Sequence, residues 1–477
     1  MTELCDLEAV ALRQKIGNKE ISPVELLDSC IGRIDQVNDA VNSVVSTDFE
    51  SARDLARQAE QEVMDGDYLG LLHGLPVGIK DLEATKGLRT TWGSLIYENH
   101  VPEEDDLAVS NIRDEGALIF SKTNTPEFGA GANTKNRVYG ATGNPFNPEL
   151  SCAGSSGGSA VSLATGMMPL ATGSDFGGSL RTPASFCGIV GFRPSPGVVP
   201  SVSKAVALSP LSVLGPMGRT VADAHLLLQA QMDVDIRDPY SKSLDESLLG
   251  PLEKVDLGSI RVAVSEDLGC APVDNNIRAV FQDRMAAFRS VFGEAQDRDP
   301  ELGPVHEVFE ILRGVSFAAS HMDRVDSQRD LLGPNVIENT ERGLEYNLRD
   351  VAWAHQEQSK LYQRYLEMFD EVDILICPGA AVSPYPHTHN SVDEINGEKM
   401  PTYMRWLALV YGHTVALPSV CVLPCGVDHL GMPFGIQIVG PNGSDKQVLD
   451  IAHTLEEYFR GQEKLRRPIP DLTTLSR

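Results

Sequence analysis

Two serines set among glycines, and one lysine upstream of both, carry the chemistry this chain can do. Ser155 lies in Cys152-Ala-Gly-Ser-Ser-Gly-Gly-Ser159, and Ser179 in Gly173-Ser-Asp-Phe-Gly-Gly-Ser-Leu-Arg-Thr-Pro183. Lys80 ends the apolar run Leu75-Pro-Val-Gly-Ile-Lys-Asp81. A hydroxyl framed by glycines, with a second hydroxyl and an amine in like settings, is what a serine nucleophile needs when no histidine serves as its base. The reaction class is acyl transfer, with amide hydrolysis as its leading form.

Each element has another reading when taken alone. The Ser179 segment lets successive backbone N–H groups converge on one atom, as an oxyanion requires; it also fits a Gly/Ser turn or a phosphate cradle. No Gly-x-x-x-x-Gly-Lys-Ser/Thr occurs, and neither glycine loop holds a lysine. The Ser155 segment fits a flexible loop that enters a helix. Lys80 fits a snorkelling surface residue; buried among hydroxyls, its pKa falls and the neutral amine accepts a proton. Asp81 is expected to point away from Lys80, because side chains alternate along a strand. Histidine is the competing base. None of the eleven histidines, His73, His321 and His413 among them, sits in a triad context. The one Gly-x-Ser-x-Gly match, centred on Ser156, lacks a preceding strand, since residues 147–151 read as a turn.

The elements that must position these groups alternate in type. Residues 1–65 read as helices, one of them opened by the capping box Ser22-Pro-Val-Glu25. Strands are expected at 75–79, 117–121, 168–172 and 188–192, and helices at 106–115, 156–166, 179–186 and 220–232. This reads as an α/β sheet covered by helices. Residues 233–370 read as a mostly helical insertion or cap, with one strand at 260–264 and helices at 276–292, 305–329 and 343–369. Sheet texture returns at 373–377, 420–423 and 434–439, ahead of a helix at 445–459. Because late strands resemble early ones, a single interleaved domain over 1–477 is expected, with its signature core at 75–223 and returning strands over 371–477. The long loop 379–400 is a candidate site wall.

Composition narrows the partners. Of 477 residues, 42% are hydrophobic and 22% charged, as in an ordinary globular protein. A net charge of -27 opposes binding to nucleic acid or anionic membrane. A polar amino terminus and the lack of a long apolar run favour a cytoplasmic protein with no membrane partner. The eight scattered cysteines read as reduced thiols. No cofactor and no metal is expected, since Cys421 and Cys425 lack a second ligand pair. A homodimer is the reasonable default assembly.

Lys80, Ser155 and Ser179, with their glycine frames, make the chain similar to the amidase signature family of serine hydrolases. The likeness runs from about Leu75 to Pro196, continues over Ser212–Asp223, and resumes at Leu417–Gly426 and Gly431–Gly440. The resemblance implies a Ser–cisSer–Lys triad. Ser179 looks like the nucleophile, Ser155 like the cis-peptide serine that relays the proton, and Lys80 like the neutral base. It implies an oxyanion hole from the backbone N–H groups of Phe176, Gly177, Gly178 and Ser179, with Asp175, Arg181 and Ser156 supporting the loops. The fold it implies is a large mixed twisted sheet sandwiched between helices. The chain departs from the family pattern at Ala153, at Ser174 and at His413-Thr-Val-Ala-Leu-Pro418, none of which is expected to touch the triad.

The expected substrate is a small-molecule amide. Candidate pocket residues are Trp92, Phe128, Gly129, Tyr139, Cys152 and Phe176, with Tyr385 or Tyr403 and Trp406 from the late segment. No arginine or lysine is placed by the sequence to hold a substrate carboxylate, which favours uncharged amides, anilides, esters or carbamates. Two alternatives remain open. One is the glutamine-amidase subunit of a tRNA-dependent amidotransferase. The other is a non-catalytic binding protein on the same fold.

Overall fold

The computed structural model describes residues 3–476, so Met1 and Thr2 of the polar amino-terminal stretch, and Arg477, lie outside the described residues. A mixed sheet of 11 strands runs through it. In chain order the strands are β1 Val44–Thr47, β2 Pro76–Lys80, β3 Leu118–Thr123, β4 Leu170–Asp175, β5 Val190–Arg193 and β6 Val213–Gly218. Then come β7 Arg261–Val264, β8 Glu294–Asp297, β9 Ile374–Pro378, β10 Ser419–Val427 and β11 Pro433–Gly440. Their spatial order is β1-β3-β2-β4-β6-β5-β10-β11-β9-β7-β8. Pairs β2/β3, β2/β4, β7/β9 and β7/β8 are parallel; β4/β6, β10/β11 and β9/β11 are antiparallel. Central strands such as β2, β9 and β11 are buried at every position, as strands covered on both faces must be.

Helices form where caps and periodicity agree. Ser22 caps Pro23–Val41, its Oγ accepting from Val24 N–H at 3.0 Å while Glu25 accepts from Ser22 N–H at 3.0 Å. Leu27, Ile31, Ile34, Val37 and Val41 then bury one stripe. The helix stops at Asn42, which is left-handed at φ 50°.

Four departures from the expected elements have physical causes. The sheet's edge strands, β1 and β8, lie in stretches expected to be helical. Both are four residues long and partly exposed, as edges are, so they lack the apolar run that marks an inner strand. The expected helix 343–369 is instead two helices, Pro334–Glu345 and Leu348–Phe369. Asn347 divides them: its side chain accepts from the N–H groups of Arg349 and Asp350 at 2.8 and 3.3 Å and starts the second helix. Residues 147–151, expected as a turn, form the strand Asn147–Ser151, paired in a small hairpin with Gly143–Asn144. The loop 379–400 packs on that region rather than on the serines, with Asn133 Nδ2 donating to the carbonyls of His387 and His389.

Candidate active site

Lys80 ends β2 and Asp175 ends β4. These strands are parallel neighbours, with Val77 opposite Leu170 and Gly78 opposite Ala171. Their carboxyl ends therefore emerge at one edge, where ligands bind in such sheets. Lys80 is fully buried. Its Nζ lies 2.7 Å from Ser155 Oγ, 2.8 Å from Ser156 Oγ and 2.9 Å from Ser174 Oγ. Burial pushes its pKa down to about 7, against the pull of Glu83 and Asp175. Ser156 Oγ donates to Ser174 O at 3.4 Å and so accepts from the amine. A neutral amine carries two N–H groups and one lone pair. With one N–H on Ser156, the lone pair is left to accept a proton from Ser155 or Ser174. Ser174, a departure from the family pattern, thus touches the amine, contrary to expectation.

Neighbouring acids are kept apart from this contact. The Asp81 carboxylate accepts from the N–H and hydroxyl of Thr91 at 3.1 and 2.6 Å. Buried Glu83 accepts from Thr172 Oγ1 at 2.8 Å, and Thr172 Oγ1 in turn accepts from Lys80 N–H at 2.9 Å.

The Gly154–Ser155 peptide is cis. Before it, Ala153 sits in the left-handed region at φ 59°. Thr134 holds it there, donating through N–H and Oγ1 to its carbonyl at 3.1 and 2.8 Å. Ser156 precedes the helix Gly157–Ala164 and donates its N–H to Ser179 O at 3.2 Å, which ties the two glycine segments together.

Asp175 organises the Ser179 segment. Its carboxylate accepts from Gly178 N–H, Leu180 N–H, Arg181 Nε and Nη2, and Arg193 Nη1, at 2.9, 3.1, 3.0, 2.9 and 3.2 Å. Burial opposes its ionisation, but Arg181 and Arg193 outweigh burial and hold the carboxyl well below the usual range. Arg181 reaches on to Val410 O and Thr414 Oγ1 at 2.6 and 2.8 Å, joining the segment to the late part of the chain. At Gly178, φ is +115° and a Cβ would lie 2.3 Å from Val410 Cγ2, so no larger residue fits. Because Gly178 N–H is taken by Asp175, the amides of Phe176, Gly177 and Ser179 are the ones left without an acceptor among the described residues.

A cavity of about 220 Å³ exposes Ser155, Ser174 and Ser179 together. Phe128, Gly129 and Phe176 line it. Trp92, Tyr139, Cys152, Tyr385, Tyr403 and Trp406 do not. Trp92 donates to Leu82 O at 3.1 Å and packs edge-on against Tyr97. Tyr139 lies under the Arg89 guanidinium. Cys152 is buried against Thr142 O, Tyr385 meets Trp406 edge-on, and Tyr403 sits behind the wall on Asn339. His413 is buried between Tyr365 and Cys377 and His73 against Ala59 O, away from the serines.

Sequence reasoning missed Lys204, Arg313, Phe317 and His321, all of which line the cavity. Two of them are cations, where the sequence placed no arginine or lysine to hold a substrate carboxylate. Arg313, Phe317 and His321 recur at four-residue spacing on the helix Val305–Gln328, which puts them on one face; that periodicity is the only signal the sequence held for them. His321 stacks near Phe128, and burial together with Arg324 lowers its pKa to about 4, keeping the ring neutral.

A buried amine, two serines and backbone amides without an acceptor among the described residues thus meet at one sheet edge, in one cavity. The chain belongs to the amidase family, whose model matches residues 25–449. It is 31% identical to an acylamidase of Rhodococcus erythropolis, over 94% of this chain and 95% of that protein. It is 32% identical to a glutamyl-tRNA(Gln) amidotransferase subunit of a Psychrobacter species, over 98% of each. Its fold matches the crystal structure of a bacterial aryl acylamidase of the amidase signature enzymes, with a TM-score of 0.88 at 24% identity, covering 94% of this chain and 96% of that one.

Proposed function

We propose that this amidase hydrolyses a carboxylic amide through an acyl-enzyme on Ser179, with Ser155 as proton relay and Lys80 as general base. The observation that carries the reading is the buried Lys80 amine 2.7 Å from the Ser155 hydroxyl, in the cavity that also exposes Ser179. Lys80 takes the Ser155 proton as Ser155 takes that of Ser179. Ser179 Oγ bonds to the carbonyl carbon, and the oxyanion rests on the amides of Phe176, Gly177 and Ser179. The proton returns through Ser155 to the leaving nitrogen as the C–N bond breaks. Water then adds to the acyl carbon by the same relay, releasing the acid and restoring the Ser179 hydroxyl. The likeness to an acylamidase supports this chemistry, and the eight unpaired cysteines support a reducing, cytoplasmic setting.

Ser179→Ala is expected to abolish both turnover of an aryl amide and labelling by a fluorophosphonate, with the melting temperature retained. Lys80→Ala is expected to cost about 10⁴-fold or more in kcat. In the native enzyme kcat/KM is expected to rise with pH through about 7, where the Lys80 amine loses its proton. Near-native turnover in either variant, or a flat profile across that range, would overturn the reading.

The 32% likeness to an amidotransferase subunit supports a second reading, release of ammonia from glutamine within a complex. Turnover of simple amides by the isolated chain separates the two.

A further inference from the structure

Arg313 lies on the helix Val305–Gln328 and faces the cavity that holds Ser179, yet it is only 6% exposed. Its hydrogen-bond partners are neutral: Nε donates to Asn339 Oδ1 at 3.1 Å and Nη2 to Tyr403 OH at 3.1 Å. The rings of Phe176 and Phe317 flank the guanidinium, with centroids 5.6 and 4.5 Å from its central carbon. Nη1 finds no acceptor, and no carboxylate pairs with Arg313, among the described residues. Lys204 lines the same cavity and makes no salt bridge among the described residues; burial lowers its pKa against the pull of Asp238.

This is an unusual place for a bare cation. The chain holds 67 acidic residues against 40 basic ones, and buried charges are ordinarily paired. The buried Arg181 and Arg193, by contrast, share Asp175. Among the described residues, no aspartate or glutamate lines the cavity. The guanidinium presents a planar fork suited to two carboxylate oxygens, and its aromatic walls hold that fork in one plane. Phe176 is both a ring of this clamp and a residue of the Ser179 loop, so a group held by Arg313 lies in the same cavity as Ser179.

We propose that Arg313 is a specificity-determining residue that anchors a carboxylate of the substrate, so that the preferred amides carry a free acid group. The proposal rests on the reading of Ser179 as the nucleophile. It separates anionic amides from zwitterionic ones such as glutamine, whose ammonium would face Arg313 and Lys204 with no acid to receive it. A cavity of about 220 Å³ restricts the substrate to a compact molecule.

The test compares matched pairs. Succinanilic acid against butyranilide puts the carboxylate on the acyl side; 4-acetamidobenzoate against acetanilide puts it on the amine side. Wild type is expected to favour the acid of one pair at least tenfold in kcat/KM, mainly through KM. Arg313→Met is expected to bring that ratio near one, and Arg313→Lys to leave part of it. Preference for the neutral member in both pairs, or equal losses on acid and neutral in the Met variant, overturns the proposal. A second readout does not need turnover: glutarate is expected to raise the melting temperature of the Ser179→Ala protein but not of Ser179→Ala with Arg313→Met, and no shift in the first counts against the anchor. Fluorophosphonate labelling reports on the nucleophile separately. Labelling at Ser179 without acid preference rejects the anchor alone; no labelling rejects the nucleophile, and the glutarate shift still decides the anchor.

Discussion

At Asp175 one carboxylate performs three tasks: it turns the Ser179 loop through Gly178 and Leu180, neutralises Arg181 and Arg193, and fixes which amides stay free. Asp175→Asn keeps the shape but leaves two buried guanidinium groups without their counter-ion. Loss of one partner from a buried pair costs about 3–5 kcal/mol, so a clear fall in melting temperature is expected together with loss of turnover. An unchanged melt would show that Arg193 and Arg181 find other acceptors. Residues of this kind were legible to different degrees. Ser155 and Ser179 stood out because glycines on either side left few structural uses for a hydroxyl, and Lys80 because it ends an apolar run upstream of both. Asp175 was legible only through the family likeness. Arg313 was legible only as one position of a four-residue spacing with Phe317 and His321, and its meaning comes from a cavity built by segments far apart in the chain. Trp92 and Tyr139 have the size of pocket residues, yet their rings pack on neighbours behind the wall.

Two helices place Arg313, and a glycine pair sets their spacing. Gly314 on Val305–Gln328 meets Gly343 on Pro334–Glu345 so closely that a Cβ on Gly343 would lie 2.1 Å from Gly314 O. The same two helices supply Arg313 and its partner Asn339. Gly343→Ala is therefore expected to push the helices apart, at a cost of about 1–3 kcal/mol. It should raise KM for an acid-bearing amide, read by steady-state kinetics beside a thermal melt; a normal melt with normal KM would mean the crossing relaxes without moving Arg313. Element types were recoverable where periodicity was strong, as in Pro23–Val41 and in the apolar runs of β2 and β9. They failed at the sheet's edges, β1 and β8, where exposure removes the apolar signal, and at Asn347, where one cap splits a continuous helical pattern.

Across the whole molecule, early and late segments share one sheet, and Arg181 stitches the Ser179 loop to residues 410 and 414. The amidase likeness conveyed that mixed sheet; the sequence pattern alone could not order its strands, because pairs such as β5 with β10 join residues more than two hundred positions apart. In such an interior Lys80 acts on stability as well as on chemistry. Its pKa is about 7 folded against the ordinary lysine value of 10.5, so between those limits the unfolded chain binds a proton that the folded chain does not. Stability must therefore rise with pH across that window, and the full penalty applies below it. At about 1.4 kcal/mol per unit the ceiling is about 4–5 kcal/mol, reduced by whatever the three serine hydroxyls return. Lys80→Met is expected to be inactive and, by urea denaturation near pH 6, more stable than wild type, with the gap closing toward pH 10. A gap that stays constant over that range would mean the folded amine stays protonated. The proton that Lys80 gives up in order to act as a base is thus a proton whose binding weakens the fold, so that below about pH 7 activity and stability are lowered by one and the same titration.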